Sequence, residues 1–206
     1  EYSLKKHITW FSTPFDEESV DFLYSLNVPA FKIASADITN VPLLRHVASK
    51  LKPVVISTGA SNLTEIEFAV NELSSYGCEE IVLLHCILNY PTSFSDANLN
   101  MIGSLQISFP NIHIGISDHT LADSDMLSLT TAYIKGARVI EKHFTDDKTI
   151  KGGDHLHSMD KNDLVKLNKN IAFVNSLLGL SIKKPLESEE KARKNEIKLL
   201  YIAPER

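Results

Sequence analysis

The sequence predicts an α/β fold, a parallel TIM (β/α)8 barrel that lacks its first two strands. Three observations lead there. Short apolar runs recur six times along the chain, separated by amphipathic stretches of helical period. The runs are close to continuously apolar, as strands buried on both faces of a parallel sheet are. Every run is followed by a polar end that bears Ser, Thr, Asp or His. An open doubly wound sheet concentrates its chemistry at one switch point, whereas a barrel lines its whole rim, so six polar strand ends favour the barrel. Six strands do not close an eight-stranded barrel, hence the expectation that two are missing.

The elements follow in order. Ile8 to Ser12 reads as the first strand, ending in Ser12-Thr-Pro-Phe15. Asp16 to Leu26 reads as a helix with Val20, Phe22, Leu23 and Leu26 inward. Pro29 to Ala34 is the next strand, leading to Ser35-Ala-Asp37, and Val41 to Leu51 a helix with Pro42 in its first turn. Pro53 to Ser57 is a strand running into Thr58-Gly59; Ser61 or Asn62 caps a helix to about Tyr76, which Gly77 ends. Glu80 to His85 is a strand leading into Cys86 to Pro91, with a helix over about Asn98 to Ser108. Ile112 to Ile116 is followed by a helix from about Asp123 to Lys135, ended by Gly136. Val139 to Phe144 is the last strand, and Asp160 caps the last long helix, to Leu178. Residues 1–182 form the barrel portion; 183–206, with a charged run Glu187 to Lys194 and an apolar piece Ile197 to Ile202, read as a linker towards a further domain.

Bulk properties narrow the function. The 206 residues carry a formal charge of −5 with dispersed acids, which gives no basic face for nucleic acid. Although 43% of residues are hydrophobic, no run approaches the ~18 residues of a membrane span. The first residues, Glu1 to His7, lead straight into a strand and carry no signal-peptide pattern. Cys78 and Cys86 lack a disulfide spacing, so reduced thiols in a cytoplasmic protein are expected, with Cys86 a small core residue.

The chemistry sits at the strand ends. Gly115-Ile-Ser-Asp-His-Thr120 and Val139-Ile-Glu-Lys-His-Phe-Thr145 flank one crossover helix. A parallel βαβ unit places His119 and His143 at the same end of neighbouring strands, where two imidazoles can share a divalent metal. Lys32 interrupts an apolar strand, either for a purpose or to snorkel to the rim. Thr13, Ser35 and Ser57 stand at strand ends and can donate to phosphate or carboxylate oxygens, although turns and helix caps use the same residues. Asp118 reads as orienting a neighbour, His85 as a satisfied core histidine, and His155 and His157 as residues of a glycine-flanked loop.

Seven segments stand in one order: Ser12-Thr-Pro-Phe-Asp16, Phe31-Lys-Ile-Ala-Ser35, Leu51 to Gly59, Leu83-Leu-His-Cys86 with Tyr90-Pro-Thr92, Gly115 to Thr120, Glu141 to Thr145, and Gly153-Asp-His155. Together they resemble the sialic acid synthase family, which condenses phosphoenolpyruvate with N-acetylated sugar aldehydes to make N-acetylneuraminate and related nonulosonates. The resemblance, over about Ile8 to Leu180, implies a TIM barrel followed by an antifreeze-like domain, a homodimer, and a divalent metal, Mn2+ or Mg2+. It implies phosphoenolpyruvate contacts from Thr13, Lys32, Ser35, Ser57 and Ser117, and metal ligands at His119 and His143. It places Asp154 and Tyr90 against the sugar, Asn89 or Leu88 at a variable spot, and Asp37 as a proton-handling residue where the family commonly has glutamate. The family's first-strand glutamate and asparagine-histidine pair and second-strand lysine have no counterpart, because the chain starts at what would be the third strand. Gly152-Gly-Asp154 replaces the usual Gly-Pro-Asp. Two other readings remain open: a Schiff-base aldolase using Lys32, and a degenerate barrel that binds sugar without catalysis.

Overall fold

In the computed structural model residues 2–196 are described; the apolar piece Ile197 to Ile202 lies outside them. The chain divides into two compact units, 1–172 and 173–206. The first is built from α1 (Tyr2–Lys5), α2 (Glu17–Ser25), β1 (Phe31–Ile33), α3 (Val41–Ala48), β2 (Val54–Ser57), α4 (Leu63–Ser75), β3 (Ile81–Cys86), α5 (Met101–Ser108), β4 (His113–Asp118), α6 (Leu127–Ile134) and β5 (Ile140–Lys142), with α7 (Lys161–Leu178) starting in it. In the second, a 3-10 turn at Glu187–Glu189 precedes the exposed helix α8 (Glu190–Glu196), so the expected linker holds a short helix.

The sheet is parallel throughout, in the order β1-β2-β3-β4-β5. A doubly wound sheet reverses its strand order part-way; a barrel does not. The described strands are therefore consecutive staves of a TIM barrel, as the strand ends predicted.

Register decides which side chains meet. Phe31, Val54 and Ile81 align, as do Ile33, Ile56, Leu83 and Ile114. These residues join Leu43, Val47, Ile66, Leu73, Ile102 and Leu129 of the helices in one buried core. Successive residues of a strand face opposite ways, so Lys32, Ser57, Cys86, Ser117 and Glu141 occupy the other face. Cys86, Ser117 and Glu141 align directly across β3, β4 and β5.

Local chemistry explains most boundaries. Asn62 caps α4 in a capping box with Glu65, and Gly77, at φ 97°, ends it as predicted. Asp16 caps α2 through Ser19 N–H. Asp160 accepts the N–H groups of Asn162 and Asp163 at the start of α7.

Five expectations need correction. Ile8 to Ser12 is not a ladder strand: it makes one parallel bridge, Ser12 to Phe31, and Ile8 and Phe11 are exposed. Among the described residues five strands, not six, make the sheet. The inward face of α2 is Val20 and Leu23, while Phe22 is 61% exposed and Leu26 is the C-cap; two residues at 3.6 per turn put Phe22 about 200° from Val20. α6 starts at Leu127 because Asp123 accepts three N–H groups, from Asp125, Leu127 and Ser128, and holds 123–126 in a turn. β5 leaves the sheet after Lys142, where Phe144 bridges Met159 instead.

Candidate active site

Two groups of polar side chains lie at the carboxyl ends of the strands, on the face away from the helices. The first is built on Lys32, 7% exposed. Its Nζ donates to Ser57 Oγ at 2.7 Å and to the Ile33 carbonyl at 2.9 Å, and lies 3.7 Å from Glu141 Oε2. The other Glu141 oxygen accepts from Ser117 Oγ at 2.7 Å. Burial pushes the Lys32 ammonium below the ordinary lysine value, and the Glu141 carboxylate opposes that push. The carboxylate nearest Lys32 is thus Glu141. Asp37 sits in a three-residue 3-10 turn, Ser35–Asp37, and accepts from Asn40 Nδ2 in the turn that begins α3.

Ser35 adds a further hydroxyl. Its Oγ accepts the Gly59 N–H at 2.9 Å and lies 3.7 Å from Cys86 Sγ. A Cβ at position 59 would come within 2.9 Å of Ser35 Oγ and 3.1 Å of Cys86 Sγ. Gly59 therefore lets backbone, hydroxyl and thiol close up. Ser35, Ser57 and Ser117 are all buried. Thr13, half-buried, follows the Ser12 bridge.

The second group is aromatic and imidazole. Tyr90 lies against His119 at 4.0 Å between ring centroids, and edge-on to His143 at 6.0 Å and His157 at 5.7 Å. His119 and His143, on neighbouring staves as predicted, lie 5.3 Å apart. His119 Nδ1 is 2.9 Å from the Ile87 carbonyl, which can only accept, so Nδ1 carries the proton and Nε2 the lone pair. Burial lowers the pKa of His119 and of His157, favouring the neutral ring that binds metals.

The set of three donor groups that converges is not built on the predicted pair. One ligand atom each from His143, Asp154 and His157 lie within 4.8 Å of one another, and His119 is outside that set. His157 had read as a loop residue; it is 3% exposed. Its position follows from the departure of the chain from β5: Met159 N–H bonds to the His143 carbonyl, and Thr145 N–H to Met159. That pairing folds 154–157 back over the strand end. Asp154 and His157 are three apart around a 3-10 turn, a spacing at which side chains share one side. This was the available sequence signal. His155 instead bonds Thr145 Oγ1, and Asn89 is exposed.

Two neighbours are structural. His85 Nε2 donates to the Ala97 carbonyl at 2.8 Å, the satisfied core histidine expected. Asp118 faces the helices and takes Thr120 N–H, Thr120 Oγ1 and, at 2.7 Å, Lys142 Nζ, whose side chain is 1% exposed. Asp118→Ala strands that ammonium in the core. It is expected to cost roughly 3–5 kcal/mol, read as a lower midpoint in denaturant. Binding of ligands on the opposite face should be unchanged below that midpoint; a loss of binding without a loss of stability would place Asp118 in the site.

Comparison with known proteins adds the following. A family model described as the NeuB family matches residues 1–183. The chain is 45% identical over 186 residues to the N,N'-diacetyllegionaminic acid synthase of Legionella pneumophila, covering 88% of this chain and 51% of that protein. It is 42% identical over 192 residues to the protein of the same name from Campylobacter jejuni, covering 92% and 56%. The crystal structure of the N-acetylneuraminic acid (sialic acid) synthetase of Leptospira borgpetersenii in complex with citrate superposes with a TM-score of 0.85 at 34% identity, covering 94% of this chain and 67% of that one. The chain spans about half the length of the curated relatives it matches.

Proposed function

The chain belongs to the NeuB family, and from that premise we propose that the full protein condenses phosphoenolpyruvate with an N-acetylated sugar aldehyde, giving a nonulosonic acid and phosphate for polysaccharide biosynthesis. The observation that carries this reading is Glu141. One of its carboxylate oxygens faces the buried Lys32 ammonium, the other holds Ser117, and His143 follows two residues later. A pocket for an anion and a cluster of imidazoles thus share one wall.

In this reading the phosphate of phosphoenolpyruvate takes the place of Glu141 beside Lys32. It gains the Ser57 hydroxyl already pointed at that ammonium, and Ser35 and Thr13 at neighbouring strand ends. Charge-assisted bonds of this kind are the strong ones. Ser117 turns from Glu141 to the substrate carboxylate. Tyr90, Asn89 and Asp154, on the loops beyond β3 and β5, line the sugar. Asp37 handles the proton of the attacking water or of phosphate. C3 of phosphoenolpyruvate bonds to the aldehyde carbon, water oxygen adds at C2, and phosphate leaves with the bridging oxygen.

His119 and His143 would hold a divalent cation, Mn2+ or Mg2+. The fit rests on the His119 tautomer fixed by Ile87 and on burial that keeps its ring neutral. Such an ion, when bound, polarises the aldehyde oxygen as a Lewis acid. We also place the enzyme in the cytoplasm as a homodimer. Both cysteines are free thiols, and no helix among the described residues is long and apolar enough to cross a membrane.

The test is phosphate release by the full-length protein from phosphoenolpyruvate labelled with oxygen-18 at the bridging position, with N-acetylmannosamine or a diacetylated amino sugar. Sugar-dependent release of labelled phosphate, abolished by a chelator, is expected. Borohydride should trap no pyruvate on Lys32; a trapped adduct would favour the Schiff-base alternative instead.

A further inference from the structure

The segment after β5, bridged to Met159, brings a third imidazole to the site, and its position has a consequence for the ion. We infer that His157, together with Asp154, joins His143 as a ligand, which makes the site imidazole-rich and selective for borderline transition ions over magnesium. The inference rests on the reading that this site takes a divalent cation; it changes the ligand set and the preferred metal, and it moves Asp154 from the sugar to the ion.

His157 Nε2 is the single buried side-chain nitrogen or oxygen without a hydrogen-bond partner among the described residues. An orphaned buried polar atom costs stability, so native proteins seldom keep one without a use. Its nearest acidic neighbour does not satisfy it, since Asp154 Oδ1 stands off at 3.7 Å. The other oxygen, Oδ2, is 3.4 Å from His143 Nδ1. Two donors at ~2.1 Å from one ion are about 3.4 Å apart at a tetrahedral angle and about 3.0 Å apart at a right angle. The observed separations, to different oxygens of Asp154, are longer than ordinary hydrogen bonds and leave room for an ion between three side chains whose donor atoms lie within 4.8 Å of one another.

The loop is built to hold this arrangement on one side and to adjust it on the other. Ser158 Oγ donates to the Asp154 carbonyl at 2.7 Å, and Met159 N–H bonds to the His143 carbonyl at 2.9 Å, so His157 is strapped to the strand end. The Asp154 side chain is 53% exposed and follows Gly152 and Gly153, both at positive φ. A carboxylate on such a segment can shift inward at little cost. His119, which the proposed function already makes a ligand beside His143, lies 5.3 Å from His143 and 6.2 Å from His157 between ring centroids and would be the third imidazole.

The metal preference follows from the donors. Carboxylate, carbonyl and water sites suit magnesium, whereas imidazole suits zinc, iron, nickel and copper. Three imidazoles and one carboxylate are a poor cage for magnesium and a good one for Zn2+, Co2+ or Fe2+. A pair of histidines alone would discriminate less.

The experiment uses the full-length protein stripped by a chelator and titrated calorimetrically with Zn2+, Co2+, Mn2+ and Mg2+, as wild type, His157→Gln and His143→Ala. Wild type is expected to bind Zn2+ and Co2+ tightly and Mg2+ weakly. His157→Gln should weaken Zn2+ and Co2+ binding more than roughly tenfold and alter the visible spectrum of bound Co2+. A smaller effect with an unchanged spectrum overturns the inference while wild-type binding sustains the parent reading. Absence of any binding by wild type overturns both. The metal-free melting temperature shows whether His157→Gln folds. Should it not, pulsed EPR of Cu2+ in wild type counts the coordinated imidazoles: three are expected, and two or fewer overturn the inference.

Discussion

Lys32→Met in the full-length protein is expected to weaken phosphoenolpyruvate binding by roughly 2–5 kcal/mol, about 30-fold to several thousand-fold, the loss typical of a charge-assisted contact to a buried anion. Methionine keeps most of the lysine stem and its packing, so the comparison isolates the ammonium. The partner left behind, Glu141, has a side chain 41% exposed and remains hydrated, which limits the cost to folding. Calorimetry of phosphoenolpyruvate with each protein in the presence of Mn2+ reads the difference. Equal affinities would make Lys32 a strand residue reaching for the rim and move the phosphate to another wall. A second signature comes from pH. The charged ammonium binds the anion, and burial lowers the pKa of Lys32. Affinity should thus be full well below that value and fall, as pH rises, earlier than an ordinary lysine would allow; Lys32→Met should lack this fall.

His143→Ala carries the second large effect. His143 belongs to both donor sets, the pair with His119 and the convergent trio with Asp154 and His157. Its side chain is 34% exposed, so truncation opens no large cavity. Replacing residues that merely orient a ligand costs about 10–100-fold in metal affinity; loss of a ligand shared by both sets should exceed that range. The checks are Mn2+ and Zn2+ titration and metal-dependent phosphate release, beside a melting curve of the metal-free protein. Retained metal affinity with retained activity would remove the imidazole cluster from the chemistry.

The sequence announced the fold through strand burial and the polar strand ends, because both are local patterns. It announced Lys32 for the same reason: a charge inside an apolar run is visible without knowing any partner. Glu141 was harder. It lies two residues before His143 as Ser117 lies two before His119, which gave its face, but its bond to Lys32 spans three intervening strands and depends on register and sheet curvature. His157 was missed because its burial is created by a non-local pairing, Phe144 with Met159, that no periodicity encodes. The Ile8 to Ser12 run failed in the opposite way. Its composition suits a strand, but a strand needs a ladder, and only Ser12 finds one.

The alternation along β4 and β5 sets different tolerances to insertion and deletion across the chain. Deleting one residue from β4 would send Ser117 into the helix layer, bring Asp118 to the ligand face, and break the Asp118–Lys142 pair at the same time. The Ser117 side of the cleft is therefore frozen in length. The stretch 149–153, ahead of Asp154, is freer, since it is exposed and Gly152 and Gly153 absorb unusual backbone angles. On the proposed function, acceptor choice can drift, or be engineered, by changing the length of this stretch while the surroundings of Lys32 stay untouched.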